Sequence, residues 1–268
     1  MTVAISVLVV LLLLYLLSMR GRIGHKGFAA LQDWAYAHRG LHGAGAPENS
    51  MEAFRRAKDA GYGVELDVHL LSDGNLAVIH DSLLIRTTGQ EGRVEDLTSE
   101  QLSLFKLEGT DCVIPTFEEV LELFAGCAPL IVELKVVDNY RQLCRRVCDM
   151  LDDYNGVYCV ESFDPRCVRW FRKNRPDIIR GQLAENYFKS DGSKLPWVLK
   201  LLLSNNMLNF LTRPDFVAYR YSDRRDLSNL LCRKLWRMKS VYWTLKNQSE
   251  FDDTVRQHAL PIFEDFCP

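Results

Sequence analysis

Four short stretches of the chain carry polar side chains at the ends of otherwise apolar runs. "VELDV" holds Glu65 and Asp67, "AVIHD" ends in His80 and Asp81, "YAHRG" ends in His38, Arg39 and Gly40, and "LIVELK" ends in Glu133 and Lys135. On an extended strand alternate residues share a face, so Glu65 projects beside Asp67 and Glu133 beside Lys135. Carboxylates buried together need cations, hydrogen bonds or a solvated mouth. Each acid alone reads as a salt bridge or a solvated strand end. Their recurrence at several strand ends points instead to an oxygen-ligand set, Glu65, Asp67 and Glu133, for one divalent cation, Ca²⁺ or Mg²⁺. Zinc would call for more nitrogen or sulfur. His38 and His80 add two imidazoles, which take and give protons near neutrality. Arg39 and Lys135 supply the fixed positive charge that holds a phosphoryl group, Arg39 as a fork and Lys135 as a point charge. His69 shares a face with Glu65 and Asp67 if the strand continues, which would put it at the border of the site.

Other chemistries lack their residues. There is no G-x-S-x-G elbow for a serine hydrolase and no glycine-rich nucleotide cradle. The eight cysteines include no C-x-x-C, which argues against a zinc site, and free thiols fit a reducing compartment. A net charge of −2 gives no basic face for nucleic acid. With 47% apolar and 25% charged residues the chain has the balance of a globular domain rather than a disordered one.

The elements that must position these residues alternate. Apolar β-type runs cover 34–38, 62–68, 76–80, 130–134, 157–162, 178–183, 216–221 and 240–245, with helical segments between them. Asn49 with Glu52 and Thr116 with Glu119 resemble capping boxes, Asp164-Pro165 opens a third helix, and further helices are expected over 139–155 and 222–238. The pattern predicts an α/β fold, a TIM-type (β/α)₈ barrel. The connection between the second and third strands is too short for a helical crossover, so the barrel should be irregular there. Residues 82–115 form an insertion after the third strand. The segment 194–211 is strongly apolar; it reads as a barrel helix or as an amphipathic segment at a membrane interface.

Residues 1–19 carry no charge and are followed by Arg20, Arg22 and Lys26. The length approaches the ~20 apolar residues of a spanning helix, and neither the basic start nor the small-residue cleavage site of a signal peptide is present. The expectation is a single-pass membrane anchor over 1–19, a juxtamembrane linker over 20–33 and a barrel over 34–268. Basic residues only after the anchor place that barrel in the cytoplasm.

As an ordered set, "AHRG", "PENSMEAF", "VELDVHLLSDG", "VIHD" and "VELK" resemble the glycerophosphodiester phosphodiesterase family, with "ESFDP" and "VYWTL" as later landmarks. The ending differs: "FEDFCP" stands where the family often has Thr-Asp-x-Pro, and "TLKNQ" replaces the commoner Thr-Val-Asn. The resemblance implies a barrel related to phosphatidylinositol-specific phospholipase C and metal-dependent hydrolysis of a glycerophosphodiester to glycerol phosphate and an alcohol. It implies that Glu65, Asp67 and Glu133 bind the metal, that Arg39 and Lys135 contact the phosphate, and that His38 and His80 form the proton-handling pair, with His38 assigned as base and His80 as acid or the two reversed. An anchored relative would be able to act as a lysophospholipase D on lysolipids. A non-catalytic tethered binding module would be expected to have lost some of these residues, and all are present.

Overall fold

The computed structural model describes residues 2–190 and 194–268. Among the described residues nine strands form one sheet: β1 (Tyr36–His38), β2 (Gly63–Leu70), β3 (Leu76–Val78), β4 (Leu130–Leu134), β5 (Tyr158–Ser162), β6 (Arg180–Ala184), β7 (Phe216–Arg220), β8 (Lys239–Leu245) and β9 (Leu260–Phe263). Eight of them close a parallel barrel in the order β1-β2-β4-β5-β6-β7-β8-β9, with β9 pairing back onto β1.

The barrel count matches the expectation, but its membership differs. β3 is not a barrel strand; it pairs antiparallel with β2 as a hairpin beyond the rim, Val68 opposite Val78. A two-stranded turn needs no crossover, which is why the short "LLSDGN" connection suffices. The eighth barrel place falls to β9, a four-residue strand interrupted by Pro261, whose missing N–H coincides with a register shift against β8.

Helices cover the barrel: α3 (Met51–Asp59), α5 (Phe117–Phe124), α6 (Tyr140–Asp152), α7 (Pro165–Asn174), α8 (Trp197–Ser204), α9 (Asn209–Thr212), α10 (Leu227–Lys234) and α11 (Gln248–Arg256), while α4 (Ile85–Thr88) lies in the excursion after β3 and α1 (Thr2–Ser18) and α2 (Ala29–Gln32) precede the barrel. Strand alternation separates two layers. Val64, Leu66, Val68, Leu130, Val132 and Val217 face outward onto Phe54, Phe117, Phe124 and Phe171 of the helices. Tyr36, Ile131, Cys159, Leu183, Ala218, Val241 and Ile262 fill the lumen. The excursion has its own small core of Leu71, Ala77, Ile79, Leu84, Val94, Leu102, Leu107 and Ile114.

Residues 20–33 are docked, not extended. Phe28 and Leu31 close the bottom of the lumen, Arg22 pairs with Asp215 at 2.6 Å, and the Asn209 amide donates to the Met19 carbonyl at 3.1 Å. Before Met19 the chain leaves the barrel. None of the seventeen residues of α1 is buried, and its last turn touches the barrel through Tyr15–Asn205 and Trp236–Leu16 hydrogen bonds. Among the described residues no helix is long and apolar enough to cross a membrane. At 1.5 Å per residue α1 extends about 25 Å, short of the ~30 Å hydrocarbon core, so the expected spanning anchor is not supported by this helix.

Candidate active site

The polar clusters of the sequence converge at the C-terminal mouth of the barrel, because the lumen-facing residues of each strand reach the rim there. Ile131 lies in the lumen, so Glu133 and Lys135 follow on the same face. Parallel register sets Asp67 opposite Glu133 and His38 opposite Glu65. Oxygens of Glu65, Asp67 and Glu133 lie within 4.8 Å of one another, and all three side chains are buried. Hard cations bind carboxylate oxygens at ~2.0–2.6 Å, so oxygens spread no wider than this can share one ion. The residues present therefore fit a single Ca²⁺ or Mg²⁺.

Fixed cations surround the cluster. Lys135 Nζ lies 2.7 Å from Glu133 and 3.0 Å from Asp67, and Arg39 Nε lies 3.4 Å from Asp67. The Arg39 backbone N–H donates to Glu65 at 3.2 Å, which requires the left-handed turn at Arg39, φ 54°. Gly40 continues that turn against α3; a Cβ there would sit 2.9 Å from Ala53, so the loop can pass only without a side chain.

Electrostatics divide the three acids. Burial, with the neighbouring Asp67 and Glu133 charges, pushes Glu65 well up; burial pushes Glu133 up to about 7 against the pull of Lys135. Burial opposes ionisation of Asp67 as well, but Lys135, His80 and Arg39 hold its carboxyl well below the usual range. Three carboxylates and two fixed cations leave the cluster short of positive charge, the condition a divalent ion relieves.

The two histidines stand on either side. His38 Nε2 is 3.8 Å from Glu65. His80 follows the β3 hairpin, held because the Ile79 N–H donates to the Asp67 carbonyl at 3.1 Å, and its Nδ1 lies 2.6 Å from Asp81. Burial lowers both imidazoles, His80 to about 4. The structure thus gathers His38, Arg39, Glu65, Asp67, His80, Glu133 and Lys135 at one mouth. His69 is not among the groups facing the cluster. It is bound to Glu95 at 2.7 Å and to the His80 carbonyl at 3.1 Å, bracing the hairpin from behind.

Several participants escape the sequence reading. Asn49 does not open a capping box; Ser50 is the N-cap of α3, accepting from the Ala53 N–H. Asn49 turns inward instead, donating to Asp67 at 2.8 Å. Glu48 joins Arg39 to Arg86, and Arg86 also pairs with Asp81. Glu161 on β5 is a fourth buried acid, pushed up by burial and then by Glu133. Its signal was an acid near the end of an apolar run, the same cue as Glu133. Glu264, from the divergent C-terminal stretch, comes within 3.4 Å of His38.

The profile described as the Glycerophosphoryl diester phosphodiesterase family matches residues 38–266. A glycerophosphodiester phosphodiesterase of Bacillus altitudinis is 36% identical over 155 residues, 53% of this chain and 63% of that protein. The lysophospholipase D GDPD1 of Rattus norvegicus is 36% identical over 132 residues, 44% of this chain and 40% of the relative. The chain thus spans less than two thirds of the length of these curated relatives. An Oleispira antarctica phosphodiesterase, solved with the product sn-glycerol-3-phosphate, superposes with a TM-score of 0.71 at 21% identity, covering 91% of this chain and 96% of that one; at this identity the likeness is one of fold. With the profile extending from His38 to beyond β9 and its motif residues gathered at one barrel mouth, the chain belongs to the glycerophosphoryl diester phosphodiesterase family.

Proposed function

We propose that the protein hydrolyses glycerophosphodiesters to glycerol phosphate and an alcohol, with one divalent cation, Ca²⁺ or Mg²⁺, held by Glu65, Asp67 and Glu133. The observation that carries this reading is the buried three-carboxylate cluster flanked by two imidazoles and two fixed cations. When bound, the cation supplies Lewis-acid stabilisation of charge on the phosphoryl oxygens. The chain's own groups do the rest. Arg39 and Lys135 hold the phosphate and complement the charge that develops on it. His38, the more enclosed imidazole, takes the proton of the attacking group: a water that displaces the alcohol directly, or the glycerol 2-hydroxyl, which displaces it to give a five-membered cyclic phosphate that a water then opens to glycerol phosphate with the two imidazoles exchanging roles. His80 lies nearer solvent, where alcohols of different size can project, and gives a proton to the departing oxygen. The phosphodiester's negative charge and Asp81 favour the protonated form that His80 needs.

Assay of the full chain on glycerophosphocholine, with EDTA and then Ca²⁺ or Mg²⁺, tests the reading. Activity that vanishes on chelation and returns with either ion is expected. Activity indifferent to EDTA would overturn the carboxylate-cluster assignment.

A second reading, lysophospholipase D activity at a membrane, is favoured by exposed apolar surface. α1 is apolar all round, and a helix of that kind is normally enclosed in protein or lipid. Beside its root, α8 exposes Trp197, Val198, Leu199 and Leu201, and Phe188 is exposed in the loop that joins β6 to it. Lipid is the chemically matched environment for both apolar surfaces, and Arg20 and Lys26, which follow α1, suit contact with anionic headgroups. Turnover of lysophosphatidylcholine at rates comparable to glycerophosphocholine, by full chain bound to vesicles, would support this second reading. Failure to bind vesicles would sink it.

A further inference from the structure

β9 closes the barrel against β1, and its register brings an unassigned acid to the level of His38. Tyr36 lies opposite Ile262 and Ala37 opposite Phe263, so the next step sets Glu264 beside His38. Leu260 and Ile262 point into the lumen, and alternation sends the Glu264 carboxylate into the mouth on that same face. Its Oε1 lies 3.4 Å from His38 Nδ1 and 2.9 Å from His42 Nε2, while the Lys246 ammonium binds Oε2.

The two nitrogens of His38 therefore have different surroundings. Nδ1 is buried with no nearer hydrogen-bond partner among the described residues, and Nε2 faces the carboxylate cluster through Glu65. A separation of 3.4 Å is at the long end for a hydrogen bond, as catalytic contacts often are before substrate binds. A surface ion pair with Lys246 would explain one oxygen of Glu264 and leave the other unexplained. That other oxygen is shared by two imidazoles.

We propose that Glu264 is the positioning residue of His38. It accepts the Nδ1–H, fixing the ring's tautomer and rotation so that the Nε2 lone pair faces the reacting oxygen, while His42 and Lys246 hold the carboxylate from behind. The inference deepens the proposed phosphodiesterase reading and rests on it for its kinetic test. It also gives the two catalytic imidazoles matching supports, Asp81 behind His80 and Glu264 behind His38.

The test uses Glu264→Gln and Glu264→Asp in the full chain, with kcat and KM on glycerophosphocholine, calorimetric Mg²⁺ affinity, and ¹⁵N shifts of the His38 ring. For Glu264→Gln, kcat should fall by at least about 100-fold, towards the ~10⁴-fold lost when an orienting carboxylate behind a catalytic histidine becomes an amide. KM and Mg²⁺ affinity should hold within about twofold, because the residue touches neither substrate nor the ligand set. The His38 nitrogens should shift towards a mixture of tautomers, and Glu264→Asp should recover part of the rate. Unchanged kcat, or Mg²⁺ affinity lost in step with activity, would overturn the proposal. If Glu264→Gln does not fold, Lys246→Met loosens the same carboxylate and should show the same signature to a smaller degree; wild-type kcat and ring shifts in that variant would then overturn it. Should the wild-type chain hydrolyse no glycerophosphodiester, the functional reading fails by itself, and the ring shifts still decide whether Glu264 sets the His38 tautomer.

Discussion

Lys135 Nζ lies 2.7 Å from Glu133 Oε1 and on its other side reaches Asp67, so one ammonium bridges two of the three carboxylates that fit a divalent ion. Without a metal, this lysine supplies much of the local positive charge. A divalent ion held by the same carboxylates would take over that work and leave the ammonium free to face a phosphate. Lys135→Met should lower kcat on glycerophosphocholine by about 100-fold, as expected when a charge-stabilising donor is lost. It should not weaken Mg²⁺ binding, because a repelling cation has been removed. Thermal melts should show a lower metal-free Tm and a larger gain on adding Mg²⁺ than in the wild type.

Metal affinity should depend on pH with a definite sign. In the metal-free protein Glu133 titrates at about 7 and Glu65 well above its ordinary value, both raised chiefly by burial. The ion requires both deprotonated, so binding expels protons and affinity grows as pH rises. Glu133, pushed up to about 7, ceases to contribute above that pH. Calorimetry in two buffers of different ionisation enthalpy should detect proton release; pH-independent Mg²⁺ affinity between about 5.5 and 7.5 would contradict the assignment.

Asn49 donates to Asp67 and so orients one ligand from outside the cluster. Loss of such a partner typically costs 10–100-fold in metal affinity. Asn49→Ala should therefore raise the Mg²⁺ concentration for half-maximal activity by about that range, with kcat at saturating Mg²⁺ much less affected. The opposite split would relocate Asn49 to the reacting centre.

The acid and base roles separate by leaving group. A p-nitrophenyl ester needs little help from a general acid, whereas the attacking hydroxyl needs a base with either substrate. His80→Ala should lose far more activity on glycerophosphocholine than on a p-nitrophenyl phosphodiester, and His38→Ala should lose both. The reverse pattern would exchange the two roles.

Trp197 is 70% exposed at the start of α8. In full chain mixed with vesicles carrying brominated acyl chains, its fluorescence should be quenched, and Trp197→Phe should remove most of the quenched component. Unquenched emission would take α8 away from the lipid surface.

The site was legible wherever a polar residue broke an apolar strand. Glu65, Asp67, Glu133 and Lys135 announce themselves because nothing in strand packing calls for charge there, and the parallel register then brings them together. β9 was hidden because four residues with a proline give little periodicity, although closure of the barrel demands that strand. Glu264 was lost with it, since its aim depends on knowing that β9 pairs with β1. Asn49 and Ser50 are adjacent and both suited to capping. Only the tertiary demand of the buried Asp67 carboxylate assigns Ser50 to the helix and Asn49 to the site. The apolar character of α1 was plain, but its short reach and the docking of residues 20–33 depend on where the helix meets the barrel.

The excursion's separate small core gives the protein an uneven thermal resilience. Its apolar contacts are few beside those of the barrel, so it is the cooperative unit expected to open first on heating. Such opening would carry away Arg86, loosen Asp81 and release His80, while Glu65, Asp67 and Glu133 stayed on intact barrel strands. If the proposed roles hold, a warmed protein would keep its three carboxylates in place while the proposed proton donor was displaced, and activity would fade below the main melting transition.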